Sequence, residues 1–312
     1  MISVVIPTYN RRHVIAPAIN SALTQGCGDV EVIVVDDGST DGTLEWLSAE
    51  YANRPVIGKR NEGLKGPAGG RNTGIRAARG EFVALLDSDD AFLPNHLTDA
   101  LAAFANYPDL GVVFGRARYE RAGVEVDYMG PNFTRKLGLA PKQFEDEQLA
   151  VFGDGFFDHL LEQGCWFNLS SVVLRKEAAD LLMNDTLRIS EDYEFWVRLS
   201  RRFRFACLKR QQIRYSLHDE NISFEAAKSS ADHAPRLLTA LEIMRAYPDL
   251  KRSQLQLIDD QRAGILFDWA YRCRMAGEWC QAAALLLRSL RLGRRVANVT
   301  ALAKLPVQML VH

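Results

Sequence analysis

The sequence has no apolar run of about 18 residues or more, so no segment of it can cross a bilayer as a helix. It also lacks a C-x-x-C pair. Its five cysteines (Cys27, Cys165, Cys207, Cys273 and Cys280) are scattered and odd in number, which argues against a disulfide framework or a zinc cluster and fits a reducing compartment. Net charge is almost absent: 38 basic against 39 acidic residues leave −1, so no overall field draws nucleic acid, and a charged partner must be met by a local patch. The opening residues, Met1-Ile2-Ser3-Val4-Val5-Ile6-Pro7, have no basic segment and no long apolar stretch; they read as a strand rather than a signal peptide. The sequons at Asn132 and Asn168 then have no secretory context, and a cytoplasmic protein is expected. Ser-His-Asp, H-E-x-x-H and Walker patterns are missing too, which removes the common hydrolase, zinc-protease and P-loop chemistries.

What is present is the balance of an ordinary globular protein, 47% hydrophobic and 25% charged. Ile2–Ile6, Val30–Val35, Pro55–Gly58, Glu81–Leu86 and Gly111–Phe114 are short, rich in β-branched residues and bounded by turn residues. They predict buried strands of a largely parallel sheet. Between the first two, Val14, Ile15, Ala18, Ile19, Ala22 and Leu23 recur at helical spacing, and Ser39 or Thr40 is placed to cap a helix carrying Leu44, Leu47 and Tyr51. Strand–helix alternation gives an α/β layer whose strand C-terminal ends share one edge, where ligands of open sheets bind. The stretch from Gly130 to Gly164 reads as long loops, Leu169–Leu174 as another strand and Glu191–Arg201 as a helix. From about residue 225 the periodicity is helical, with a hairpin of Asp259–Met275 and Glu278–Leu292 turning at Gly277.

Two carboxylate clusters follow apolar strands: Val32-Ile33-Val34-Val35 runs into Asp36-Asp37-Gly38-Ser39, and Phe82-Val83-Ala84-Leu85-Leu86 into Asp87-Ser88-Asp89-Asp90. Crowded carboxylates repel unless cations compensate, and a divalent ion shared with nucleotide phosphates would do so. The plain alternative is a pair of exposed acidic turns, which two matching positions make less attractive than one. Arg71, in Gly69-Gly70-Arg71-Asn72-Thr73-Gly74, either meets phosphate or pairs with an aspartate in a structural loop. Glu191-Asp192 either stabilises a helix start or supplies a carboxylate base. His218 could donate to phosphate or ligate metal.

In this order, Val5-Ile6-Pro7-Thr8-Tyr9-Asn10-Arg11, Asp36-Asp37-Gly38-Ser39-Thr40-Asp41, Asn61-Glu62-Gly63, Arg71-Asn72-Thr73-Gly74-Ile75, Leu86-Asp87-Ser88-Asp89-Asp90 and Glu191-Asp192-Tyr193-Glu194 resemble the family 2 glycosyltransferases over roughly residues 2–223. The resemblance implies a GT-A fold, a Rossmann-like, mixed, mostly parallel sheet flanked by helices, with residues 1–224 as the catalytic domain and 225–312 as a helical appendage. It implies that Pro7, Thr8 and Tyr9 line the base pocket with Asp36 and Asp37, and that Arg71 supports the base or diphosphate. Asp87-Ser88-Asp89 matches the D-x-D element, with Asp89 on Mn²⁺ or Mg²⁺, Asp87 on ribose or a metal-bound water, and His218 as a further ligand to metal or diphosphate. Asp192 matches the catalytic base, with Glu191 beside it, and His218, Asn221 and Ser223 match a segment closing over the diphosphate. The expected reaction is inverting transfer from a nucleoside-diphosphate sugar, UDP-linked by resemblance, to a glycan or lipid-linked hydroxyl. A sugar-1-phosphate nucleotidyltransferase would need an early Gly-rich phosphate loop, which Pro7-Thr8-Tyr9-Asn10-Arg11 is not, and a non-catalytic sugar-nucleotide binder would lack carboxylates that are all present here.

The last segment adds a reading from composition alone. After Glu278 no acidic residue occurs, and Arg288, Arg291, Arg294, Arg295 and Lys304 stand among leucines, valines and alanines. Such a helix either lies on an anionic membrane surface or packs Leu286, Leu287 and Leu290 on the preceding helix with its arginines solvated.

Overall fold

The apolar runs at the start of the chain form the parallel part of a sheet. Strands β1 (Ile2–Thr8) and β2 (Val30–Asp36) bury Val4, Val5, Ile6 and Val32 to Val35 completely, as strands covered on both faces must. β3 (Val56–Arg60) extends the sheet beyond β2, and β4 (Phe82–Leu85) pairs with the other side of β1; all three ladders are parallel. The connecting helices are α1 (Ile15–Leu23), α2 (Thr43–Glu50) and α3 (Pro67–Ala77). Ile15, Ala18, Ile19 and Ala22 of α1 are sealed against the sheet, as their spacing predicts. The cap of α2 differs from expectation. Asp41 accepts from the Thr43 N–H and hydroxyl, while the Ser39 hydroxyl accepts from the Asn10 N–H.

The computed structural model describes residues 1–218 and 230–293, and the chain divides into two compact units, residues 1–218 and 219–312. Asn221, Ser223, Arg294, Arg295 and Lys304 lie outside the described residues. The rest of the first unit holds β5 (Ala91–Phe92), α4 (His96–Asn106), β6 (Leu110–Arg121), β7 (Val124–Val126), α5 (Gly130–Leu139), β8 (Lys142–Glu145), β9 (Leu149–Phe152) and α6 (Phe156–Gln163). It continues with a 3-10 turn (Leu169–Ser171), β10 (Val173–Arg175), α7 (Lys176–Ala179), α8 (Glu191–Leu199) and β11 (Arg204–Ser216). The sheet order is β3-β2-β1-β4-β10-β6-β11-β9-β8, with β5 on β11 and β7 on β6. β10 runs antiparallel to both β4 and β6, and β6 pairs with β11 in parallel, so the C-terminal ends of β1, β2, β4, β6 and β11 share one edge.

Three readings are corrected here. Residues 130–164 are helix, hairpin and helix rather than loops, because Phe133, Leu137, Phe156, Leu160 and Leu161 fall at helical spacing and are buried. The strand expected over 169–174 begins only at Val173: the Asn168 side chain accepts from the Ser170 N–H and closes a 3-10 turn first. β11 was not anticipated because Lys209-Arg210-Gln211-Gln212 interrupts its alternation, and the pairing with β6 shifts register at that point.

In the second unit, α9 (Ser230–Arg245) is followed by α10 (Arg252–Met275) and α11 (Trp279–Leu292), a hairpin turning at Gly277 with φ +81°. Leu266, Ala270 and Cys273 pack with Leu238, Ala282, Leu285 and Leu286, and the Ser289 hydroxyl donates to the Ala263 carbonyl at 2.6 Å. Leu287 is half exposed, and Arg288 and Arg291 are exposed. Of the two readings of the tail, the described portion follows packing for Leu286.

Candidate active site

The end of β1 and the turn after β2 form one side of the sheet edge. Thr8 is 4% exposed and its hydroxyl has no partner. Tyr9 is exposed, with the Lys65 ammonium 4.4 Å from its ring centroid, and Pro7 is half-buried between them and the sheet. Asp36, paired with Thr8 in register, is buried and accepts from the Ser39 N–H through both oxygens, at 3.2 and 3.1 Å. Asp37 accepts from Asn61 Nδ2 at 2.6 Å and from the Gly66 N–H at 2.9 Å, so each of its oxygens already holds one donor.

Across the edge, α3 brings Arg71 beneath the end of β4. The helix lies closer to β1 than side chains permit: a Cβ on Gly74 would stand 2.3 Å from Val5 Cγ1, and one on Gly69 1.8 Å from the Leu64 carbonyl oxygen. The guanidinium, 5% exposed, donates to Asp87 Oδ1 at 2.7 Å and to Glu191 Oε1 at 3.1 Å. Of the two possibilities for Arg71, pairing with carboxylates is the observed one. It ties the loop after β4 to the start of α8, and it turns inward rather than towards a diphosphate.

Glu191 and Asp192 open α8, where the helix dipole favours negative charge. Burial raises the proton affinity of Glu191, and the neighbouring Asp192 adds to it; Arg71 opposes both. Burial is also the main cause that raises Asp192, with the Tyr193 N–H and Arg71 opposing it.

The acidic loop after β4 then divides its work. Asp89 Oδ2 lies 2.9 Å from His218 Nε2 and 3.7 Å from Arg11, so the loop after β1 and the segment after β11 meet at this carboxylate. Asp90 is buried, accepting from the Ser170 hydroxyl at 2.6 Å and the Ser216 N–H at 3.2 Å, and Ser170 in turn accepts from the Asp87 N–H. Burial, reinforced by Asp87 and Asp89, pushes Asp90 far above the usual carboxylate range. Ser88 is buried between them.

The three expected metal ligands do not converge: Asp87 turns to Arg71, while Asp89 meets His218. Among the described residues no three His, Cys, Asp or Glu side chains converge on one point, so a bound ion would need phosphate or water to complete its shell. The roles of Arg11, Asp90 and Ser170 were missed. Arg11 stood in a quoted motif and Asp90 in the acidic cluster, but nothing local links Ser170 to Asp90, 80 residues away.

Comparison with known proteins gives a consistent result. The sequence model of glycosyl transferase family 2 matches residues 3–157. A chondroitin synthase of Escherichia coli is 35% identical over 139 residues, covering 44% of this chain and 20% of that protein. A UDP-Glc:alpha-D-GlcNAc-diphosphoundecaprenol beta-1,3-glucosyltransferase of Escherichia coli is 39% identical over 97 residues, covering 31% and 38%. The chain thus spans less than two thirds of either relative. Among solved structures, S. aureus TarS in complex with UDP-GlcNAc aligns at TM-score 0.65 and 20% identity, over 96% of this chain and 83% of that one. A mannosyltransferase from Pyrobaculum calidifontis in complex with GDP-Man and Mn²⁺ aligns at TM-score 0.58 and 16% identity, over 97% and 78%. The likeness establishes the GT-A fold.

Proposed function

Because the chain belongs to glycosyltransferase family 2, we propose that it moves a sugar from a nucleoside diphosphate to a hydroxyl acceptor in one displacement that inverts the anomeric centre. The observation that carries this reading is the gathering of Asp87, Glu191 and Asp192 around Arg71 at the sheet edge that also holds Asp89 and His218. Asp192 takes the acceptor proton, and its burial moves its proton affinity towards that task. Glu191 and Arg71 position it: the guanidinium holds α8 against the loop that carries Asp87.

The donor base lies over Tyr9 and the unpartnered Thr8 hydroxyl, with Asp36 and Asp37 fixed in place to accept from its N–H groups. Uracil is the base this reading favours, and UDP-linked donors appear in the names of two of the proteins compared. Mn²⁺ or Mg²⁺ fits Asp89 and His218, an oxygen and an imidazole nitrogen that face each other, with the donor's phosphates completing the shell. Bound there, the ion would neutralise charge on the leaving diphosphate.

We assign the chemistry to residues 1–224, with 225–312 as an appendage, in surface polysaccharide or glycolipid assembly in the cytoplasm. Among the described residues no helix is long and apolar enough to cross a membrane. The exposed Arg288 and Arg291 support contact with an anionic inner membrane face, which salt-sensitive pelleting with anionic liposomes, lost on truncation near Gly277, would test. The central experiment is a thermal-shift panel of nucleotide sugars with and without Mn²⁺, followed by product analysis. Free sugar with nucleoside diphosphate is expected; pyrophosphate exchange, or no turnover with any donor, would overturn the reading.

A further inference from the structure

A recess of about 220 Å³ opens beside β6 and the start of α5, lined by Arg116, Tyr119, Phe133, Trp166, Phe167 and Asn168 among others. Its polar groups are mostly donors with nothing to donate to. Trp166 is 4% exposed, and its indole N–H is shielded from water and has no acceptor. Asn168 uses its amide oxygen on the Ser170 N–H at 2.7 Å, which leaves its NH₂ as the end available to the recess. No carboxylate among the described residues pairs with Arg116. Two positions along the same strand face, Arg118 shares Glu120 with Arg214 across the ladder, and both arginines keep a shielded Nε without an acceptor.

Arginine and tryptophan side chains can only donate, and a shielded donor left unpaired is costly. This region therefore has an excess of donors and of positive charge, and the group that completes it is an anionic acceptor of hydrogen bonds. Phe133, Phe167 and Tyr119 add an apolar wall, the usual setting for a few orienting polar groups.

The recess also lies beside the catalytic carboxylates. Cys165 precedes Trp166, and its thiol is held protonated by burial first and by the charge of Asp192 second. The Tyr119 hydroxyl is pushed up to about 12, by burial first and by Asp90 second.

We propose that this recess is an acceptor subsite that holds an oxyanion of the acceptor, a phosphate ester or a carboxylate, with Arg116 and the Trp166 N–H as its ligands. The inference rests on Asp192 as the base, and it makes the acceptor a charged glycan or glycosyl phosphate rather than a neutral sugar. Arg116 acts in binding and selection and takes no part in bond making.

The test measures affinity for three probes, glucose 1-phosphate, glucuronate and methyl glucoside, by saturation-transfer NMR and calorimetry, with and without UDP and Mn²⁺. The anionic probes are expected to bind at least about tenfold tighter than methyl glucoside, the worth of one charge-assisted hydrogen bond. Preference for glucose 1-phosphate assigns a phosphate ester; preference for glucuronate assigns a carboxylate. Arg116→Gln should erase the preference, Arg116→Lys should keep part of it, and Trp166→Phe should weaken anion binding about threefold, all with Tm and UDP affinity unchanged. Equal binding of all three probes, or an unaltered preference in Arg116→Gln, overturns the proposal. Loss of UDP affinity in Arg116→Gln overturns it too, by moving Arg116 to the donor side. If wild type binds no nucleotide, the donor assignment fails by itself, and the probe titration without UDP still decides this one.

Discussion

The two acidic clusters of the sheet edge are compensated in different ways. On the β2 side, Asp36 and Asp37 are met by the backbone N–H groups of Ser39 and Gly66 and by the Asn61 amide, neutral donors fixed by the chain itself. On the β4 and α8 side, Asp87, Asp89, Glu191 and Asp192 share Arg71, a histidine and a more distant Arg11. The first arrangement is complete without a ligand and suits a rigid base pocket. The second holds more negative charge than its cations balance, which is the condition under which a divalent ion or an incoming proton binds well. Preorganisation and reactivity are thus separated along one edge.

Several substitutions break or sharpen that contrast. The largest effect is expected from Asp192→Asn, which should lower kcat by roughly 10²–10⁴-fold, the usual worth of a positioned base, while UDP and Mn²⁺ still bind. Unchanged kcat with lost nucleotide affinity would move Asp192 to the donor side, and retention at the anomeric carbon by NMR would defeat the single displacement. Next, Arg71→Met removes the shared cation and leaves Asp87 and Glu191 facing each other without it. A loss of about 3–5 kcal/mol in chemical denaturation is expected; a loss below about 1 kcal/mol would show that the charges are already balanced elsewhere.

Asp89→Ala should cost at least about tenfold in Mn²⁺-dependent UDP affinity without unfolding the protein, and EDTA should mimic it in wild type. Full turnover in EDTA would remove the ion from the scheme.

A comparison of histidines sharpens the point further. His218 stands at the site, whereas His96 is fully enclosed between Phe92 and Gln212, and burial depresses it to about 4. Its unfolded value is near 6.5, so between these two values the unfolded chain binds the proton and the folded one does not. The stability from the neutral ring is complete above about pH 6.5 and falls as the pH drops towards about 4. Thermal melts of wild type should show that slope, and His96→Asn should flatten it. The smallest effect belongs to the preorganised side: Ser39→Ala loses the bond from the Asn10 N–H, should cost about 1 kcal/mol, and should leave Mn²⁺ dependence untouched. A large change in Mn²⁺ dependence would mean that the two sides are not separate.

Strands β1 to β4 were legible because their residues are buried on both faces and uniformly apolar, and α1 because its spacing leaves no other face to bury. The carboxylates were legible through their position after such strands. Their partners were not. Arg71 could have faced phosphate or aspartate, and only the approach of Gly69 and Gly74 to the Leu64–Val5 region fixes its direction. Ser170 carries no local sign of its bond to Asp90, because that contact exists only once β10 lies between β4 and β6. β11 was hidden by a polar, bulged centre that packs by ladder bonding rather than by alternation.

The position of β10 and β11 has a consequence for the order in which the molecule can be made. Residues 3–157 carry the family match, yet both flanks of β6 are filled by strands that come later, β10 at Val173–Arg175 and β11 at Arg204–Ser216. A nascent chain emerging from the ribosome therefore carries β6 with neither neighbour until synthesis is well past the matched segment. Asp90 waits equally long for its Ser216 donor. A fragment cut at residue 157 would expose two open strand edges and bind to itself, and the acidic loop would gain its final shape only after β11 had been threaded into the middle of the sheet.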